Sequence, residues 1–185
     1  MRRLGEELGV EAMSLYNHVP NKAAILDGVF EIVLSELSVT QRAASWQGNL
    51  RDRAHALRSV LRAHPNALPL FATRPAVTAG SIAHLEVVLE ILRTNGFSAE
   101  DALCATQVLV AFVVGHTLTC YAPRSPDEAS RPEYERLSRE HFPRVHEAAM
   151  LLATHDVESE FDLGLNALLV GLERRLGERS RAKKR

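Results

Sequence analysis

The sequence predicts an all-α fold, and three observations carry the prediction. Apolar residues recur at three- and four-residue steps along most of the chain. Strand signals are scarce: no alternating runs flanked by Asn-Gly or Asp-Gly turns recur, and Asn95-Gly96 closes a helical pattern instead. The first residues, MRRLGEELGVEAMSLYNHVPNK, read as helix, glycine turn and helix.

Leu4, Leu8 and Val10 set an apolar edge at the N-terminus. Gly9 falls where a short helix must end in a left-handed turn, which glycine adopts without a Cβ penalty. A second short helix is expected over 12–18, in the helix-turn-helix arrangement that seats its second helix in the DNA major groove. That helix offers Ser14, Asn17 and His18 on its exposed face, with Met13 near its start. Hydroxyl and amide groups bond base edges or phosphates, and Met meets a thymine methyl. Tyr16 and Lys22 suit the flanking backbone, and Asn21 caps the next helix, 21–37.

Leu50, Ala54, Leu57, Leu61 and His64 form the next stripe, with Ser45 as its N-cap and Pro65 as its stop. Ile82, Leu85, Leu89 and Leu92 form another, closed by Gly96. Ser98 caps a helix over 98–121, with Asp101 in a capping-box-like role. This helix is apolar nearly all round, which places it at the centre of the fold or at a subunit contact. Pro123, Pro126 and Pro132 mark 122–132 as an exposed loop. A broken helix over 133–153 restarts at Pro143. The last helix, 158–176, has a wide apolar face of Phe161, Leu165, Leu168, Leu169 and Leu172. The basic end, 179–185, reads as a solvated tail.

Composition excludes several classes. The chain has 185 residues, 46% hydrophobic and 24% charged, with a net charge of −1. Any DNA binding must therefore come from local geometry and not from overall charge. Cys104 and Cys120 lie roughly 24 Å apart on one helix, too far for an intrachain disulfide. With no signal segment and no run of about 18 apolar residues, the chain reads as a reduced, cytoplasmic protein with no membrane span. It lacks a Gly-rich phosphate loop, a Gly-x-Ser-x-Gly elbow and a His-Glu-x-x-His pair, so an enzyme is not expected. No His-x-x-x-His pair or Cys cluster appears, so neither a metal nor a cofactor is expected.

The segment LGVEAMSLYNHVPNKAAIL resembles the signature of the tetracycline-repressor (TetR) family of transcriptional regulators. The likeness continues through Ser45-Trp46, His64, Thr73-Arg74-Pro75, Gly96-Phe97-Ser98, Asp101-Ala102-Leu103, Gly115 and 161–173, in the family's order. It implies a helix-turn-helix head and connecting helix over 1–38, then a ligand-binding and dimerisation domain over 45–178. Arg2, Ser14, Tyr16, His18 and Lys22 match the family's DNA-contacting positions. Met13 and Asn17 depart from it, so the operator sequence does not carry over. The resemblance also implies a homodimer that binds double-stranded operator DNA and is released by a small-molecule effector. The two long C-terminal helices would pair with the partner's, here through Leu109, Val113, Phe161, Leu165, Leu168 and Leu172.

The family's magnesium–tetracycline ligands are replaced by Ser38, Arg53, Leu70 or Phe71, and Ala111, with only Thr73 retained. The expected effector pocket is lined by Arg53, Leu57, Leu61, Phe71, Thr73, Leu85, Leu89, Val108, Phe112 and His116. It suits a small, mostly apolar ligand with one polar or acidic group. The chain begins inside the second helix of the family's three-helix head. This predicts reduced cover over Leu4, Leu8 and Leu15, from a late start assignment or from truncation. The alternative function is a dimeric ligand-binding module that has lost DNA binding.

Overall fold

The structure, a computed structural model, describes residues 1–39, 43–123, 136–152 and 154–182. Among them every regular element is helical. The α-helices are α1 Arg2–Leu8, α2 Lys22–Ser35, α3 Trp46–Ala63, α4 Leu68–Thr73, α5 Ala79–Thr94, α6 Ala99–Tyr121, α7 Pro143–Leu152 and α8 Val157–Ala182. Short 3-10 helices cover Ser14–Asn17 and Pro65–Ala67.

Local chemistry sets the helix starts. Asn21, Ser45 and Ser98 are extended, and each side chain accepts from the backbone N–H three residues on, at Ala24, Gly48 and Asp101. Thr78 and Ser81 form a full capping box at the start of α5, a device the sequence reading passed over. Pro65 closes α3, since a proline inside the helix would lose a bond and clash with the preceding turn.

α6 is the axis of the body and packs against α3, α4, α5 and α8. Its inward residues Ala102, Ala105, Leu109 and Val113 join Leu50, Leu61, Leu92, Phe161 and Leu165 in one buried core. Trp46 meets Phe97 edge-on at 5.1 Å and closes one end. By length and composition α6 could cross a membrane, contrary to the expectation that no segment would qualify. It packs against four helices of the body, and a third of that span is buried.

Two expectations about the ends change. α8 runs six residues beyond the predicted stop, so the basic end is helical as far as Ala182. Arg175 Nε and Arg179 Nη1 each lie 2.6 Å from the buried Asp101 carboxylate at the start of α6, and these ion pairs extend the helix. The Asp101 carboxylate accepts from the Ser98 hydroxyl, where the capping-box reading would have it accept from the Ser98 backbone. Most of the proline-rich loop, residues 124–132, lies outside the described residues, as do 133–135, 153 and 183–185.

Leu109, Val113, Phe161 and Leu165, expected at the dimer contact, are buried in the protomer's own core. Leu168 and Leu172 are half-buried, and Leu172 packs on the same core. The faces of α6 and α8 that stay open carry Leu103, Val108 and Val110, and Leu163 and Val170.

Candidate functional site

The head is built from α1, a glycine turn and the 3-10 helix. Gly9 ends α1 at φ 65°, as the sequence requires, and its N–H donates to the Glu6 carbonyl. The chain then folds back, so that the Val10 N–H donates to the Gly5 carbonyl at 2.9 Å. A Cβ on Gly5 would lie 2.7 Å from the Val10 carbonyl oxygen and 3.1 Å from the Ala12 nitrogen. Gly5 is therefore required for the turn to close.

The expected α-helix over 12–18 is instead a four-residue 3-10 helix. Its bonds span three residues: Ser14 N–H to Glu11, Tyr16 to Met13 and His18 to Leu15. No side chain caps the segment, and it is too short for α geometry to repay its nucleation cost. Met13, 72% exposed, leads a row in which Tyr16, Asn17, His18 and Lys22 are also exposed. Arg2 is exposed on α1, while Ser14 is half-buried and bonds the Glu11 carbonyl. Of the predicted reading residues, all but Ser14 are exposed.

α2 carries this head. At 14 residues it is about 21 Å long. It packs on α3, α4 and α5, with Val33 buried beside Val60 and Ala67, and side-chain contacts mark its length. Arg74, just past α4, donates to Asp27 and to the Ala23 carbonyl near the start of α2. Phe30 stacks on Phe71 at 4.3 Å in its middle. Glu36 meets the His64 ring at 2.9 Å at its end. From the sequence Arg74 stands out only as part of the family likeness. In the structure its guanidinium clamps the lever.

Beside the end of α2 lies a cleft of about 200 Å³, lined by Leu37, Val39, Arg53, Ala83, His84 and Val87. Arg53 belongs to α3; Ala83, His84 and Val87 belong to α5. Burial first, and the Arg53 charge second, lower the His84 pKa below its ordinary value, so the ring is neutral at pH 7. A second, open hollow of about 440 Å³ separates α2 from the turn between α3 and α4, with Leu26, Val29, His64 and Leu70 among its walls.

Of the ten predicted pocket residues only Arg53 lines the cleft. Leu61 is fully buried, and Leu57, Phe71, Leu89 and Phe112 pack against the core. Leu85 is half-buried on α5 outside both hollows. Thr73 is exposed and bonds the Pro69 carbonyl, and Val108 is 49% exposed on the outer face of α6. His116 sits between the Phe112 and Phe161 rings, its pKa lowered mainly by burial. One cause underlies these positions: helical periodicity finds the inward stripe, and much of that stripe packs in the core. His84 was missed because a single histidine on an apolar helix face carries no local signal.

Deeper in the body, Arg58 is 3% exposed and donates to both Glu158 oxygens, with its guanidinium 4.3 Å from the Phe161 ring centre. This joins α3 to the first turn of α8. No cluster of metal-ligating side chains occurs among the described residues.

An exposed helix-turn-helix on a lever helix, seated on an all-helical body with a cleft at the lever's end, defines a ligand-responsive DNA-binding transcriptional regulator. The model of the tetracyclin repressor-like C-terminal domain matches residues 40–176, and the chain belongs to the TetR family. It is 32% identical over 178 residues to the class D tetracycline repressor protein of Escherichia coli, covering 93% of this chain and 78% of that protein. It is 30% identical to an HTH-type transcriptional regulator of Saccharopolyspora erythraea, covering 93% and 75%. Its fold is similar to the TetR family protein ActR of Streptomyces coelicolor in complex with actinorhodin. That match has a TM-score of 0.80 and 28% identity, over 96% of this chain and 88% of that one. The first two relatives are a repressor and a transcriptional regulator.

Proposed function

We propose that the protein is a repressor that binds operator DNA as a homodimer and leaves it when a small molecule enters the cleft beside α2. The carrying observation is the position of that cleft. Leu37 and Val39 of its wall continue directly from the helix whose other end holds the reading segment. An effector favouring one tilt of α2 shifts the spacing of the two heads, and DNA favouring the other tilt expels it. The effector site is thus the wall of Arg53, Ala83, His84 and Val87, distinct from most of the stripe expected from sequence.

Pairing uses the apolar faces that the protomer leaves open. Leu103, Val108 and Val110 of α6 lie with Leu163 and Val170 of α8, and Leu163 is 72% exposed. Exposed apolar side chains at this density mark an interaction surface. Val145, Met150 and Leu151 of α7 are also open. The relative ActR is solved with actinorhodin, which accords with a ligand-controlled body. A ligand-binding module without DNA recognition is the less favoured reading, because Met13, Tyr16, Asn17 and His18 stay on an exposed, folded head.

The test is fluorescence anisotropy with the DNA upstream of the protein's own coding sequence. The proposal expects salt-dependent binding that Asn17→Ala weakens for that sequence and Lys22→Ala weakens for all sequences. A folded dimer that binds no tested duplex above the non-specific level removes the repressor reading.

A further inference from the structure

Gly80 is the second residue of α5, and Glu31 lies in the second half of α2. The φ of Gly80 is not positive, so the backbone there does not require glycine, and glycine weakens a helix relative to alanine. What this glycine permits is a close approach. A Cβ at this position would lie 2.6 Å from Glu31 Oε1 and 3.4 Å from Glu31 Cγ and Cδ. The bare Cα thus lets a carboxylate of the lever rest on the first turn of α5.

We propose that Glu31 is a positioning residue for operator binding. Its carboxylate, seated on the start of α5 at Gly80, fixes the tilt of α2 and with it the placing of the reading head. The proposal rests on the reading of the protein as an operator-binding repressor and names a residue that sets the lever for that function.

Glu31 is half-buried and makes no hydrogen bond or ion pair to any described residue. A carboxylate partly removed from water needs a compensating environment, and the start of a helix supplies one. The first N–H groups of a helix lack partners along the chain and leave partial positive charge there. In α5 the Thr78 hydroxyl accepts from the Ser81 N–H, and the Thr78 carbonyl accepts from the Ile82 N–H. The Ala79 and Gly80 N–H groups find no acceptor among the described residues. The first turn of α5 has no acid of its own. Packing brings Glu31 of α2 to that place.

The contact also has leverage. Asp27 and Glu31 are four residues apart and share a face of α2. Arg74 donates to Asp27, and Gly80 receives Glu31. The link from α4 to α5 therefore meets the lever at two points one turn apart. One such point is a pivot; two fix a direction. Phe30 on Phe71, and Val33 beside Val60 and Ala67, hold α2 by apolar burial, which has no preferred direction.

The experiment measures operator affinity by fluorescence anisotropy for Glu31→Ala, Gly80→Ala, the double variant and Glu31→Gln, with urea unfolding of each. The atom nearest the added methyl is the far end of a flexible side chain, so Gly80→Ala displaces the carboxylate and leaves α5 folded. Both single variants are expected to shift affinity in the same direction, by roughly fivefold or more. The double variant shifts no further, because both changes remove one contact. Glu31→Gln keeps the shape, gives up the charge and shifts affinity in that same direction. Unfolding midpoints stay close to the wild type. Wild-type affinity in either single variant or in Glu31→Gln, additive effects in the double variant, or affinity changes that follow a loss of stability overturn the proposal.

Spin labels at Met13→Cys on the head and at the exposed Cys104 of α6 read the lever without DNA. With Cys120→Ser and an excess of unlabelled chain, the distance measured is the one within a protomer. If the wild type binds no operator and the distance shifts or broadens in both Glu31→Ala and Gly80→Ala, the positioning of α2 stands and the operator reading falls. Wild-type distances in both variants overturn the positioning role whatever the DNA titration gives.

Discussion

Arg74 and Asp27 meet across 47 residues of sequence. Arg74 Nε and Nη2 both donate to Asp27 Oδ1, at 2.9 and 2.5 Å, and Nη2 also donates to the Ala23 carbonyl at 3.1 Å. The pair fixes the end of α2 nearer the head, while the cleft lies at the other end. Each partner is less than a third exposed, so solvent screens the pair only in part. Arg74→Ala is expected to cost about 1–2 kcal/mol in urea unfolding, and the cycle with Asp27→Asn to show coupling near 1 kcal/mol. Additive single effects would show that the clamp contributes nothing.

Gly5 tests the head separately from the body. A methyl group there meets the Val10 carbonyl, a backbone atom that cannot turn aside. Gly5→Ala is expected to abolish operator binding by opening the turn after α1, and to leave the unfolding midpoint of the body within a few degrees. Circular dichroism melts beside DNA titration check this. Full operator affinity in the variant would mean the turn tolerates the shift.

The Arg58–Glu158 pair is lopsided, with Arg58 3% and Glu158 53% exposed. Removing the carboxylate leaves a buried cation without its partner; removing the guanidinium leaves a carboxylate that water can reach. Glu158→Ala is therefore expected to destabilise by about 2–3 kcal/mol, and Arg58→Met by less, because its apolar chain still fills the space beside Phe161. Denaturant unfolding with the reverse order would contradict the burial argument.

Acid sensitivity follows from two histidines. Burial, joined by the Arg53 charge at His84 and the Arg58 charge at His116, lowers both pKa values in the folded protein. The unfolded chain takes up these protons near pH 6.5, where the folded chain resists them. Stability is then greatest above about pH 6.5, falls as pH drops through that value, and levels off below the folded pKa values. The lowered pKa values of Asp101 and Glu158 add a separate loss, below about pH 4.5. Melting curves from pH 7.5 to 5.5 are expected to shift downward, with a smaller shift in His84→Gln and His116→Gln. A rising midpoint over that interval would reverse the sign of the account.

What the sequence disclosed follows the range of each interaction. Gly9, Asn21, Ser45 and Ser98 act within four residues, so turn and cap chemistry shows in the string itself. The site depends on distant partners. Arg74 finds Asp27 across 47 residues, and His84 comes beside Arg53 only because α5 packs on α3. Periodicity also cannot say which stripe of an all-apolar helix meets its own core. On α6 that stripe is Leu109 and Val113, and the open one is Leu103 and Val108. Of the residues expected to line a pocket, Leu61 is buried in the core and Phe112 packs against it.

The central claim is that the cleft and the head are two ends of one lever. Ala83 lines the cleft and is otherwise exposed, so Ala83→Phe fills the space without disturbing the core. The direct measurement is operator affinity of Ala83→Phe against wild type, with dimerisation and melting temperature as controls. The account predicts a roughly 5- to 150-fold loss of affinity from a folded dimer, the usual span of allosteric coupling. Unchanged affinity in a folded dimer whose cleft is shown to be filled would contradict it.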